Sequence, residues 1–325
     1  MKRVGVLGAG AWGTSMACVL AARLDVTLWA RDPAQAEALA RTRRNERYLR
    51  GIEIPAAVKV TSNLDDASRA ELVLAATPVS GLRDVLQKIQ NCNALVWLCK
   101  GFEQGSGLLP HQIAEQTLGP GARYGALSGP SFAEEVARGL PCALTLAALD
   151  AGFAREAAAL VHGGRMRVYY SADLVGVEIG GAVKNVMAIA AGISDGLGLG
   201  HNARAALITR GLAEIARLGA AMGGQSETIF GLTGAGDLIL TATGDLSRNR
   251  RVGLQLAQGL PLEKILHDLG HVAEGVYTAR EIAKLAKARG VDMPVTDAVN
   301  AVLDEKLAPK AAVEQLLARD PKQER

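Results

Sequence analysis

From residue 3 to residue 147, short runs of β-branched and aliphatic residues recur and are separated by stretches with helical periodicity. The runs at 3–7, 26–30, 72–76, 94–99, 124–128 and 142–147 predict strands, and the stretches at 13–22, 33–43, 79–89 and 109–118 predict helices. Strands alternating with helices need crossover connections, which implies an α/β unit built on a largely parallel, doubly wound sheet. Past about Tyr170 the strand pattern stops. Helical periodicity takes over at 175–191, 203–222, 248–258, 277–288, 295–303 and 311–317, with Gly-rich breaks between. The pattern therefore predicts two domains, 1–172 and an all-α domain 173–325, with the boundary at 171–173. The tail from Arg319 is charged and contains Pro321.

Composition narrows this picture. A chain of 325 residues is long enough for two cores, and 49% hydrophobic with 21% charged residues suits a globular protein. With only 4% aromatics the core must be aliphatic. The net charge of +3 is mild, and no Lys/Arg stripe interleaved with aromatics points to nucleic acid. Cys18, Cys92, Cys99 and Cys142 lie in apolar stretches without CxxC spacing, so buried thiols in a reducing cytoplasm are expected rather than disulfides or zinc. The five histidines show neither metal spacing nor a visible partner, and no metal site is assigned. Lys2 and Arg3 ahead of an apolar run mimic a secretion signal, but Gly8, Gly10 and Gly13 interrupt that run. The nearest approach to a membrane span, 174–193, carries Glu178 and Lys184, so no membrane partner is expected.

The first candidate chemistry is Gly8-Ala9-Gly10-Ala11-Trp12-Gly13, directly after the first strand and opening a helix. In a Rossmann-type dinucleotide site the first glycine permits the tight turn. The second lets backbone approach the pyrophosphate, and the third lets helix pack on strand. The helix N-terminus then offers free N–H groups to phosphates. The second strand ends Trp29-Ala30-Arg31-Asp32, with Arg31 where an NAD-restricted site carries an acid for the ribose 2′-hydroxyl. This points to NADP or dual NAD/NADP use; a solvated loop arginine is the alternative.

Five further segments carry polar groups that could serve a site. Lys100 follows a strand end, where it could meet a phosphate or the nicotinamide, or be a solvated lysine. Ser131 with Glu134 forms a capping-box pattern beside Gly129, with a plain cap as the alternative. Lys184 shares a helix face with Val177, Gly181 and Ala188, so small neighbours leave room for a ligand and partial burial makes it a usable general acid or base. A snorkelling structural lysine would share that position. Asp237 is expected on a tight glycine loop, 234–237. Ser247, Arg248 and Asn249 stand at a predicted helix start, as a phosphate pocket or an ordinary cap with exposed arginines.

Taken together, GAGAWGTSMA, KGFE, SGPSFAEEVA, GAVKNVMAIAAG, NARAALITRGLAEIARLG, GLTGAGDLILTATGDLSRNR and VAEGVYTA, in this order along nearly the whole chain, resemble the bacterial NAD(P)-dependent sn-glycerol-3-phosphate dehydrogenase family. The resemblance implies a cytoplasmic oxidoreductase that reduces dihydroxyacetone phosphate to sn-glycerol 3-phosphate, reversibly, for phospholipid synthesis. It implies Lys184 as catalytic acid/base with Asp237 beside it. Lys100, Gly129, Ser131, Ser247, Arg248 and Asn249 would hold the substrate. Ala11, Trp12, Arg31, Lys100, Ala133, Arg248, Val272 and Glu274 would contact the dinucleotide. Many members carry Ser where this chain has Ala11, and Ser or Thr where it has Cys99. The competing readings are a related two-domain hydroxy-acid or oxo-acid dehydrogenase and a non-catalytic NADP-binding redox sensor. Gly/Ala-rich helices in the second half leave room for a homodimer.

Overall fold

The computed structural model describes residues 2–89, 92–119, 121–269 and 273–320. Contacts group the chain into two units, Met1–Glu103 with Leu108–Glu178, and Gln104–Gly107 with Ile179–Arg325.

The first unit runs β1 (Arg3–Leu7), α1 (Ala11–Leu20), β2 (Asp25–Trp29), α2 (Pro33–Thr42), β3 (Arg44–Asn45), β4 (Leu49–Glu53), β5 (Lys59–Thr61), α3 (Leu64–Ser68), β6 (Leu72–Ala75), α4 (Val79–Lys88), β7 (Ala94–Trp97), α5 (Pro110–Leu118), β8 (Arg123–Ser128), α6 (Ala133–Ala137), β9 (Cys142–Ala147), α7 (Ala151–Val161) and β10 (Met166–Ser171). The sheet order is β10-β9-β8-β7-β6-β1-β2-β5. The stretch from β5 to β8 is parallel, with Val4 opposite Val26 on one side and Leu72 on the other. Strand β9 runs antiparallel to β8, and β10 follows β9 in parallel. The chain winds outward from β1 in one direction and from β6 in the other. Ligands of open α/β sheets bind at such a reversal, beyond the carboxyl ends of the strands.

Alternation within the strands fills two cores. Val4, Val6, Leu72, Leu74, Ala94 and Val96 pack on one face, and Leu7, Val73, Ala75, Leu95 and Trp97 on the other. Burial on both faces is why these strands read as unbroken apolar runs. The expected α/β architecture is what forms. The pattern passes over β5, β10 and the β3–β4 hairpin, which are short or half exposed and so lack the apolar signature.

The second unit is helical: the greater part of α8 (Leu174–Gly196), then α9 (Gly200–Ala221), α10 (Ser226–Phe230), α11 (Asp237–Thr243), α12 (Arg248–Ala257), α13 (Leu262–Leu269), α14 (Glu274–Arg289), α15 (Pro294–Leu303) and α16 (Pro309–Leu317). Helix α8 is long and apolar enough to cross a membrane, yet 94% of its most apolar window is buried within the fold. It is a core helix by position.

Candidate active site

The glycine turn after β1 shows what each glycine is for. Gly8 takes φ +118°, and a Cβ there would lie 2.9 Å from the Ala76 carbonyl oxygen beyond β6. A Cβ on Gly13 would lie 1.9 Å from the Gly8 oxygen. Gly10 differs: a Cβ there meets nothing within 4 Å, so its outer side is open. Helix α1 starts at Ala11, two residues earlier than its periodicity suggests, with Gly10 as N-cap and no side chain capping its first turn. Uncapped N–H groups behind an open glycine are what a pyrophosphate needs, so the residues present fit a dinucleotide. The turn is pinned from behind, where the Ala9 carbonyl accepts from Gln35 (3.1 Å) and from buried Asn45 (3.0 Å). Trp12 packs against the core, and α6, which begins at Ala133, packs on α1.

At the end of β2, Arg31 is exposed and Asp32 caps α2, accepting from the Ala34 N–H at 3.0 Å. Beyond β7 and β8, on the same carboxyl edge of the sheet, the Gly129 carbonyl accepts from Lys100 Nζ (3.2 Å) and from Ser131 Oγ (3.0 Å). The structure thus brings Lys100, Gly129 and Ser131 together. It also corrects the capping box. The N-cap of α6 is Phe132, without a side-chain cap, because the Ser131 hydroxyl turns back to Gly129.

In the helical unit, Lys184 is 7% exposed. Its Nζ donates to Asp237 Oδ1 at 2.6 Å and to Thr241 Oγ1 at 2.9 Å, and the Thr241 hydroxyl donates to the Asp237 carbonyl at 2.6 Å. Asp237 does not sit on a tight loop as expected. Leu232–Gly236 forms a π-helical turn running straight into α11, which Asp237 opens. The reason is close approach: a Cβ on Gly180 would lie 3.0 Å from the Thr233 oxygen, and one on Gly234 would lie 1.9 Å from the Ile229 oxygen. Gly180 is four residues before Lys184 and Gly234 three before Asp237, so the contact that glycine permits lower down brings lysine and carboxylate together above it. Irregular π turns of this kind are frequent at functional sites. Each buried charge compensates the other, whereas removing either would strand its partner.

Ser247 caps α12, accepting from the Arg250 N–H at 3.2 Å. Arg248 is exposed at the first helical position. Asn249 donates to Asn185 Oδ1 (3.0 Å) and accepts from the Gly275 N–H (3.2 Å), tying α12 to the residue after Lys184 and to the start of α14, where Glu274 lies. Val272 lies outside the described residues.

Residues 3–154 match the N-terminal family model, and residues 173–314 the C-terminal family model, of NAD-dependent glycerol-3-phosphate dehydrogenase. The chain belongs to the NAD-dependent glycerol-3-phosphate dehydrogenase family. Among relatives named glycerol-3-phosphate dehydrogenase [NAD(P)+], that of Aromatoleum aromaticum is 58% identical, with 99% of this chain and 100% of the relative covered. That of Dechloromonas aromatica is 57% identical, with 99% of each covered. The crystal structure of glycerol-3-phosphate dehydrogenase from Coxiella burnetii superposes with a TM-score of 0.92 at 39% identity, covering 98% of this chain and 99% of that one.

Several groups escaped the sequence pattern. Thr241 and Asn185 lie four and one residues from Asp237 and Lys184, and helical spacing from Asp237 would have found the former. His111, to which no partner was assigned, pairs through Nδ1 with buried Glu178, whose other oxygen accepts the His111 N–H at 3.0 Å. Burial works against the His111 imidazolium, but the Glu178 hydrogen bond and charge outweigh it and raise its pKa. None of the four cysteines is in a disulfide, and each is half-buried rather than buried.

Proposed function

We propose that this member of the glycerol-3-phosphate dehydrogenase family interconverts dihydroxyacetone phosphate and sn-glycerol 3-phosphate with NADPH or NADH, and that Lys184 is its acid/base. The observation that carries the assignment is the buried Lys184–Asp237–Thr241 cluster, 2.6 and 2.9 Å from the lysine nitrogen. Residues 1–172 hold the dinucleotide through Gly8, Gly10, Ala11, Trp12, Gly13, Arg31 and Ala133; residues 173–325 supply the chemistry.

When bound, the reduced nicotinamide supplies a hydride to the substrate carbonyl carbon. Lys184, as ammonium, donates a hydrogen bond to the carbonyl oxygen and gives up a proton as alkoxide charge develops. Asp237 holds that ammonium charged and aimed, with Thr241 fixing its rotamer. Ser247, Arg248 and Asn249 bind the phosphate, with Lys100 and Ser131 completing the substrate contacts and Glu274 the dinucleotide contacts. Phosphate binding is remote from the reacting carbon, so its energy serves to position the carbonyl. Arg31 pairs with a 2′-phosphate, which favours NADP. Four cysteines outside any disulfide suit a reducing cytoplasm.

The test follows the reduced-nicotinamide absorbance band with purified protein and each cofactor. Dihydroxyacetone phosphate should drive oxidation of both. No oxidation, or equal efficiency with unphosphorylated dihydroxyacetone, rules the reading out.

A further inference from the structure

We propose that Asp195 is a positioning residue. It fixes the start of α12, and with it Ser247, Arg248 and Asn249, relative to Lys184. The proposal rests on reading that cluster as the phosphate site. Asp195 is eleven residues beyond Lys184 on α8, which at 100° per residue leaves the two within about 20° of one face, roughly 16 Å apart along the axis.

Between them α8 and α12 touch backbone to backbone. A Cβ on Gly192 would lie 2.0 Å from the Arg250 oxygen, one on Gly253 2.0 Å from the Ile189 oxygen, and one on Gly196 2.6 Å from Ala257 Cβ. Such a contact is close. It sets the spacing of the two helices at backbone distance.

What locks the register is polar. The Asp195 carboxylate accepts from Arg250 Nε at 2.9 Å, with Nη2 at 2.8 Å, and from Arg204 Nη1 at 3.1 and 3.3 Å. The Asp195 and Arg250 side chains are each 12% exposed. Arg250 meets exposed Asp245 at 2.9 Å, and Arg204 meets His201 Nδ1 at 2.8 Å. Arg250 also donates its backbone N–H to Ser247 Oγ, so one residue joins the capping serine to α8. The Asn185–Asn249 bond is the tether at the other end, beside Lys184. Neutralising Asp195 leaves two partly buried guanidiniums on no shared partner, and removes a polar tie between α8 and α12.

The experiment compares wild type with Asp195→Asn, Asp195→Glu and Arg204→Gln, reading kcat, KM for dihydroxyacetone phosphate, KM for the cofactor, and competitive inhibition by inorganic phosphate. Asp195→Asn should raise KM for dihydroxyacetone phosphate about tenfold and weaken phosphate inhibition in parallel, while kcat stays within about threefold and the cofactor KM, which depends on this helix start only through Arg248 and Glu274, rises by about threefold or less. Asp195→Glu should recover part of the loss, and Arg204→Gln should show a two- to threefold rise in the same KM. The proposal is overturned by an unchanged substrate KM. It is equally overturned by a cofactor KM that rises in step, or by an unfolded Asp195→Asn alongside an Arg204→Gln with wild-type KM. A wild type that oxidises no cofactor with dihydroxyacetone phosphate refutes the reaction itself, and this proposal with it.

Discussion

The glycine turn and the lysine cluster make their functional groups from opposite materials. At 8–13 the groups proposed to bind the dinucleotide are backbone, from six consecutive residues, and the side chains matter mainly by their absence. Around Lys184 they are side chains from α8, α11 and α12, separated by up to 65 residues of sequence and aligned by backbone contacts at Gly180, Gly192, Gly234 and Gly253. A local backbone site tolerates side-chain change wherever space is open. A side-chain site assembled from distant helices tolerates almost none.

The comparison breaks first at Lys184. Lys184→Ala should lower kcat by about 10³-fold or more while leaving cofactor binding by the first unit intact, measured by steady-state turnover and by fluorescence titration with NADPH. Near-normal turnover would remove the lysine from the mechanism. Next comes the contrast within the turn. Gly13→Ala forces a Cβ to 1.9 Å from the Gly8 oxygen, so it should abolish measurable cofactor binding and cost about 1 to 3 kcal/mol or more by urea unfolding. Gly10→Ala meets open space and should leave stability within about 1 kcal/mol while weakening the cofactor. Equal stability losses would show that the open side of Gly10 is not the ligand side.

A smaller effect is expected at Arg31. Losing one charge-assisted contact, about 1.5 to 3 kcal/mol, should raise KM for NADPH roughly ten- to a hundredfold in Arg31→Ala and leave NADH little changed. Parallel changes for both cofactors would exclude a 2′-phosphate role.

The smallest effect on turnover belongs to Glu214, which shows that a buried charge in the helical unit need not be chemical. It is 1% exposed and accepts from the Val295 N–H (2.6 Å), the Thr296 N–H (3.1 Å) and the Thr296 hydroxyl (2.9 Å) at the start of α15. Burial pushes its carboxyl up to about 7. The folded state therefore holds a proton that the unfolded chain has already lost. Stability from this group is full below the ordinary carboxylate range and falls as pH rises toward 7, by on the order of 3 kcal/mol. Glu214→Gln should flatten that slope in thermal melts at pH 5 to 7.5 without changing kcat. A slope as steep as wild type would assign the proton elsewhere.

Much of this was legible beforehand, and the exceptions share a cause. The parallel core of the sheet, the main helices of the second half and the glycine turn follow from local periodicity or adjacent residues, whereas the Lys100–Gly129 bond spans 29 residues and does not. Strand β10 was missed because an edge strand with alternating exposure has no apolar run. The Asp237 turn was misread because glycine marks both loops and close helix contacts. Which of these applies depends on what packs against it; here that is Gly180 and Ile229. His111 lacked a partner because Glu178 is 67 residues away.

The sequence alone determined the order of the main elements, the glycine turn, the family, and which residue types could carry the reaction, since these are written in local motifs and periodicity. Only the tertiary structure decided that Lys184 faces Asp237 and Thr241 at hydrogen-bond distance, that Asn249 is tied to Asn185, and that Asp195 pairs with Arg250 of α12. Those pairings are set by the crossing of helices far apart in the chain. That crossing comes from packing at glycines, which local spacing cannot tell apart from turns.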